Sequence, residues 1–201
     1  MSPMIQNRFR APVTAFITPI AKGMLKLGLT PNSVTAVGAI GGSIAAIYFF
    51  SIDEFFIGTL VVALFALSDL FDGTMARLSN SGSTRWGALI DSTLDRITDA
   101  AIFIGILLYA YESNSTLISY LAIYSLVTGA LIPYIRAKAE SLGIDCSVGI
   151  AERAERLIIV LIGTGLYGLG IDQSLAGSLL IIAFAGTITI FQRMHVVFRA
   201  G

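Results

Sequence analysis

The sequence predicts an all-α integral membrane protein in which six transmembrane helices follow an interfacial amphipathic N-terminal segment. Three observations predict it. Of 201 residues, 55 % are hydrophobic and 13 % charged, about half the charge of an ordinary soluble domain. Apolar runs of about 20 residues, the length that crosses a ~30 Å hydrocarbon core, recur along the chain. The 13 Lys and Arg fall in the N-terminal segment, around alternate connections and at the C-terminus, with Arg96 alone well inside a run.

Residues 1–28 carry Arg8, Arg10, Lys22 and Lys26 beside Ile5, Phe9, Val13, Phe16, Ile20, Met24 and Leu27. Apolar residues spaced by three or four suit a helix lying in the membrane interface, which Pro12 and Pro19 would kink or divide. A signal peptide is the rival reading of this basic start. The runs then cover 32–52, 55–78, 86–110, 115–139, 154–170 and 174–194. In the first, Gly38 and Gly42 form a GxxxG among Ala and Ser residues, so that helix can approach a neighbour closely. The connections around 51–54, 111–115 and 168–174 hold no Lys or Arg, so the positive-inside rule puts both termini and the two basic loops in the cytoplasm, with the plasma membrane the expected location. No linker, low-complexity stretch or repeat divides the chain, which predicts a single domain over 1–201 with its transmembrane region at 32–194. Cys146 is the single cysteine, excluding an intrachain disulfide and reading as a small buried hydrophobe. Balanced charge, 13 acidic against 13 basic residues, gives no sign of nucleic-acid binding.

The second span carries Asp69 and Asp72 near its cytoplasmic end, and the third carries Asp91, Asp95 and Asp99 near its start. Spacings of three and four put each set on one helical face. At 1.5 Å per residue, Asp72 and Asp91 each sit ~9 Å from the short hairpin between the two helices, so carboxylates from both can converge. Each intramembrane carboxylate costs roughly 2.5–3.5 kcal/mol on insertion scales, and a hard divalent cation, Mg²⁺ or Mn²⁺, offsets their repulsion. Four carboxylates have room for two ions, which can hold the attacking and leaving oxygens of a phosphoryl displacement. The competing reading pairs aspartates with Arg77, Arg85 or Arg96 in ion pairs, and for Asp99, close to Arg96, it is the stronger one. A transporter with a coupling site of intramembrane acids is a different class of explanation, but it predicts acids spread along a pathway rather than gathered toward one membrane face.

In order, Asp69, Asp72, Gly73, Ala76, Arg77, Gly87, Asp91 and Asp95 resemble the signature D-x2-D-G-x2-A-R-x8-G-x3-D-x3-D of the CDP-alcohol phosphotransferase family, with nine residues instead of eight between Arg77 and Gly87. The resemblance implies that Asp69, Asp72, Asp91 and Asp95 coordinate two divalent ions gripping the diphosphate of CDP-diacylglycerol, with Asp91 and Asp95 catalytic and Asp95 the general base on the acceptor hydroxyl. It implies that Gly73, Ala76 and Arg77 line the nucleotide, joined by Pro31 and Thr35 from the family-like start of the first span, and that the protein is a homodimer. Glycine suits close approach of a nucleotide, Arg77 offers donors to phosphate, and Pro31 suits a helix start.

The acceptor is read from the third cytoplasmic segment, where Arg136, Lys138, Arg153 and Arg156 cluster, and from Arg193 on the same side. Guanidinium forks match phosphate oxygens, so a phosphorylated polyol is expected, although basic residues at cytoplasmic helix ends also follow from topology. Within the family this stretch resembles the actinobacterial members that take inositol 1-phosphate and release CMP; members that take glycerol 3-phosphate are the rival. His195, in the basic tail, is left out of the chemistry.

Overall fold

The structure is a computed structural model that describes residues 17–79 and 84–200, with the side chain of Asp69 outside the described part. Among the described residues every regular element is a helix: α1 (17–26), then α2 (Pro31–Ser51), α3 (Phe55–Ala66), α4 (Ser68–Leu78), α5 (Arg85–Glu112), α6 (Thr116–Ser141), α7 (Arg153–Gly168) and α8 (Gln173–Ala200). They form two compact units, Met1–Gly42 with Ala63–Thr98 and Ser43–Val62 with Asp99–Gly201.

By length and composition, four stretches among the described residues are apolar enough to cross a membrane: Pro31–Ser51, Phe55–Leu78, Thr116–Ser141 and Gln173–Ala200. Outward-facing residues such as Val37 (66 % exposed), Leu64 (67 %) and Phe184 (71 %) suit lipid rather than water. The six expected runs therefore yield four on this measure. The 28 residues of α5 reach ~42 Å, but Arg85, Asp91, Asp95, Arg96 and Asp99 all lie between its start and its midpoint turn. The 16 residues of α7 reach only ~24 Å and begin on Arg153-Ala-Glu155-Arg156. The expected second span, 55–78, is two helices. They meet at Leu67, whose N–H reaches the Ala63 carbonyl at 3.1 Å while its own carbonyl accepts from Leu70 at 3.0 Å, a tightened turn.

In the first unit, α1 packs Ala21 against Val34 of α2 and Met75 of α4. Ile17 is buried with them, while Ile20 and Leu27 of the expected apolar stripe face outward. Residues 1–16 of the interfacial segment lie outside the described part. Pro31 opens α2, as expected. Ahead of it, the Ser33 N–H donates to Thr30 Oγ1 at 3.1 Å and the Thr30 N–H to Ser33 Oγ at 3.0 Å, a reciprocal cap with serine in the place of glutamate. The neighbour served by the small residues of α2 is in the same chain: a Cβ on Gly38 would lie 1.8 Å from Ser68 Oγ, and one on Gly41 2.4 Å from the Phe65 ring.

The second unit is built on Phe50, Phe55, Val62, Ile102, Ile106, Val160, Leu175, Leu179 and Ile182. Phe55 stacks on Phe50 with centroids 5.2 Å apart and meets Tyr109 and Tyr167 edge-on at 4.8 and 5.0 Å, the geometries aromatic quadrupoles favour. The Tyr109 and Tyr167 hydroxyls hydrogen-bond to each other.

Helices end on left-handed residues: Gly28, Asp53, Asn114, Gly143 and Gly170 all have positive φ. After each, the next N–H returns to a carbonyl five residues back, as Ser115 does to Ala110 at 2.8 Å and Ile144 to Ala139 at 3.0 Å, the Schellman closure. Asn tolerates this conformation and a β-branched residue does not. Asn114→Val is therefore expected to lose about 1–2 kcal/mol while Asn114→Gly stays near wild type, measured by thermal unfolding in detergent.

Candidate active site

The acidic residues expected to hold metal lie in the first unit. Asp72 projects from the middle of α4 and is buried at 8 % exposure. Its Oδ2 lies 2.5 Å from Thr35 Oγ1, whose oxygen is also 3.0 Å from the Pro31 carbonyl. The proline that starts α2 thus sets the helix turn from which Thr35 orients Asp72. Thr35, expected at the diphosphate, touches the carboxylate expected to serve it.

One residue on, a Cβ added to Gly73 would meet nothing within 4 Å among the described residues, so the surface beside Asp72 is open to a bulky group. Ala76 is half-buried on the following turn. Arg77 is exposed, and its Nη2 donates to Thr74 Oγ1 at 3.0 Å, steadying the guanidinium. The signature's extra residue falls between α4 and α5, where 80–83 lie outside the described part. Thr84 caps the next helix, accepting from the Gly87 N–H at 2.9 Å. At Gly87 a Cβ would stand 3.0 Å from Asn32 Oδ1 and 3.1 Å from Thr84 Oγ1, so this glycine is packed where Gly73 is open. Asp91 is exposed and Asp95 half-buried on α5. The donors are all oxygen, which fits a hard cation such as Mg²⁺ or Mn²⁺. Among the described residues no three acidic, His or Cys side chains gather as a cluster, and the expected set includes Asp69, whose side chain is outside them.

The basic residues expected at the acceptor phosphate lie in the second unit, where the arginines among them engage the chain's own groups. Asp99, expected beside Arg96, instead pairs with α7: its Oδ2 is 2.8 Å from Arg156 Nη2 and its Oδ1 3.6 Å from Arg153 Nε. Arg96 turns back to the Ser92 carbonyl. Arg156 is buried and also donates from Nη1 to the Ala151 carbonyl at 3.0 Å. On α6, Arg136 donates to Glu140 at 2.8 Å and lies 3.9 Å from Glu152, while Lys138 is exposed.

Arg193, expected at the acceptor phosphate, is the largest fully buried side chain among the described residues. It donates to the Val148 carbonyl at 2.9 Å, the Ile132 carbonyl at 2.6 Å and the Glu152 carboxylate. These bonds tie the segment between α6 and α7 to α8. Thr189, one turn earlier, accepts from the Ile150 and Ala151 N–H groups at 3.1 and 3.0 Å. Cys146 is buried beneath, as expected, its thiol 3.8 Å from the Arg193 carbonyl.

Sequence reasoning did not find the Asp99 pairing, the Thr189 clamp or the partners of Arg193, because each joins residues 38 to 61 positions apart. A local signal was available for Thr84, a hydroxyl residue directly before a helix.

Residues 28–190 match the model of the CDP-alcohol phosphatidyltransferase family. A phosphatidylinositol phosphate synthase of Streptomyces avermitilis is 40 % identical over 98 % of this chain and 83 % of its own length, and one of Cutibacterium acnes is 42 % identical over 96 % and 98 %. The Mycobacterium tuberculosis phosphatidylinositol phosphate synthase, in a crystal structure with CDP-DAG bound, aligns over 90 % of this chain and 93 % of its own at a TM-score of 0.86 and 40 % identity. The same relative has also been solved in complex with manganese and citrate, again at a TM-score of 0.86, over 90 % of this chain and 88 % of its own.

Proposed function

The chain belongs to the CDP-alcohol phosphatidyltransferase family, and on that footing we propose that it moves the phosphatidyl group of CDP-diacylglycerol onto a hydroxyl of inositol 1-phosphate, giving phosphatidylinositol phosphate and CMP. The observation that carries the choice of acceptor is identity of about 40 % across nearly the whole chain to relatives of that activity. The transporter reading falls with the family.

Asp69, Asp72, Asp91 and Asp95 are the residues that would hold divalent metal, Mg²⁺ or Mn²⁺ and two ions by the number of carboxylates. Such cations, when bound, neutralise the diphosphate and stabilise the departing CMP. Thr35 orients Asp72 through its hydroxyl. The open face at Gly73 supports approach of the nucleotide, with Pro31, Ala76 and Arg77 beside it. Asp95 accepts the proton of the attacking hydroxyl, and the oxygen displaces CMP from the lipid-side phosphorus. No covalent intermediate is required, since positioning and charge neutralisation supply most of the catalysis in phosphoryl transfer.

The acceptor phosphate is held by cationic side chains of α6 and α7: Arg136, Lys138, Arg153 and Arg156. Arg193 serves this site by fixing the segment that precedes α7. In the membrane α5 and α7 join the four apolar stretches as fifth and sixth spans of a single domain. Both termini and the active site face the cytoplasm, by the distribution of Lys and Arg, and the working unit is a homodimer.

The test is CMP release by the purified protein from CDP-diacylglycerol with inositol 1-phosphate, glycerol 3-phosphate, serine or free inositol in parallel. Turnover with inositol 1-phosphate far above the rest is expected. Preference for glycerol 3-phosphate would reassign the acceptor, and preference for free inositol or serine would remove the phosphate site.

A further inference from the structure

We infer that Asp99 is a positioning residue for acceptor recognition, holding Arg153 and Arg156 in the arrangement that receives a phosphate monoester; the inference rests on the acceptor reading above. Asp99 supplies one carboxylate oxygen to each arginine, Oδ2 to Arg156 Nη2 at 2.8 Å and Oδ1 to Arg153 Nε at 3.6 Å. The two cations stand three residues apart in the first turn of α7, where the positive end of the helix dipole opposes them. The N-cap residue Glu152 makes no side-chain cap bond there.

Burial makes the partner indispensable for Arg156. Its side chain is 6 % exposed, and its Nε has no hydrogen-bond partner among the described residues. A guanidinium removed from water in this way requires a counter-charge, and Asp99 provides it. The Arg153 side chain keeps 28 % exposure and the Asp99 side chain 16 %, so the pair remains reachable from outside.

Charge then explains selectivity. Guanidinium groups held on the two oxygens of Asp99 present donors that match the oxygens of a dianionic phosphate ester and are of little benefit to an uncharged alcohol. The carboxylate holds Arg156 in a fixed direction, so little ordering remains when the phosphate arrives.

The test uses the full chain in detergent. Asp99→Asn is expected to raise the KM for inositol 1-phosphate about tenfold and the Ki of inorganic phosphate, as competitor against that acceptor, in parallel. Turnover at saturating acceptor and the KM for CDP-diacylglycerol stay near wild type. Asp99→Glu, which keeps the charge, recovers most of the affinity. A role confined to structure would lower thermal stability and scale turnover with both substrates alike, and that outcome overturns the inference. So does an acceptor KM that is unchanged, or one that falls, which would make the carboxylate a competitor of the phosphate. Arg153→Ala separates the levels: if it raises the acceptor KM while Asp99→Asn does not, the acceptor site stands and the positioning role fails. If neither Arg153→Ala nor Arg156→Ala alters that KM, the acceptor site itself is misassigned and the inference fails with it.

Discussion

Asp95→Asn is expected to lower kcat by about 10²–10⁴-fold, the contribution of a positioned general base, while binding of CDP-diacylglycerol largely survives. The substitution keeps size and shape and removes both the proton acceptor and one negative charge. Asp95 is half-buried on α5, one turn after the exposed Asp91, and the spacing of four residues keeps the two on one helical face. The other carboxylates of the signature remain to serve the diphosphate, so lipid-nucleotide affinity falls far less than turnover. Single-turnover CMP release and equilibrium binding of CDP-diacylglycerol separate the two effects. Unchanged turnover would remove Asp95 from the role of base.

The largest effect on stability is expected from Arg193→Ala. Three nitrogens of this guanidinium reach three separate acceptors, at Val148, Ile132 and Glu152, and the side chain is 1 % exposed. Removing it vacates a large buried volume, breaks the bonds to the Val148 and Ile132 carbonyls and leaves Glu152 without its nearest cation, a combined loss of about 3–5 kcal/mol. Arg193→Lys is expected to restore little, because one ammonium cannot reproduce a fork directed at three acceptors. Thermal unfolding in detergent reads the loss. Limited proteolysis between Gly143 and Glu152 reads its location, since that segment is held to α8 by Arg193 and Thr189. A midpoint within a degree of wild type would show that the segment is held by other contacts.

The helical class and most helix boundaries were legible because hydropathy and spacing are local properties. Pro31, the limits of α6 and the start of α8 fall close to where apolar runs and turn residues put them, while α8 continues past the expected 194 to Ala200. The break at Leu67 was not legible, since an uninterrupted apolar run carries no mark of a single tightened turn. Nor was the left-handed conformation of Asp53 and Asn114, which is usually signalled by Gly. The aspartates stand out in the sequence because their pattern is dense within one pair of helices. The basic cluster stands out by charge, but charge alone does not say which guanidinium is spent on the chain itself. Arg193 looks like Arg136 in sequence, yet the first is fully buried on acceptors of the chain itself and the second is partly open. Asp99 shows the same limit in reverse, its partners lying 54 and 57 positions away rather than on its own helix.

The account turns on acidic side chains of α4 and α5 using a divalent cation to act on CDP-diacylglycerol. The most direct measurement is CMP release from CDP-diacylglycerol and inositol 1-phosphate after exhaustive chelation, followed by titration with Mg²⁺ or Mn²⁺. The account predicts no turnover in chelator and saturable recovery on adding metal, with recovery displaced to higher metal concentration in Asp72→Asn. Undiminished turnover in chelator, or an identical metal titration for Asp72→Asn and wild type, would contradict it.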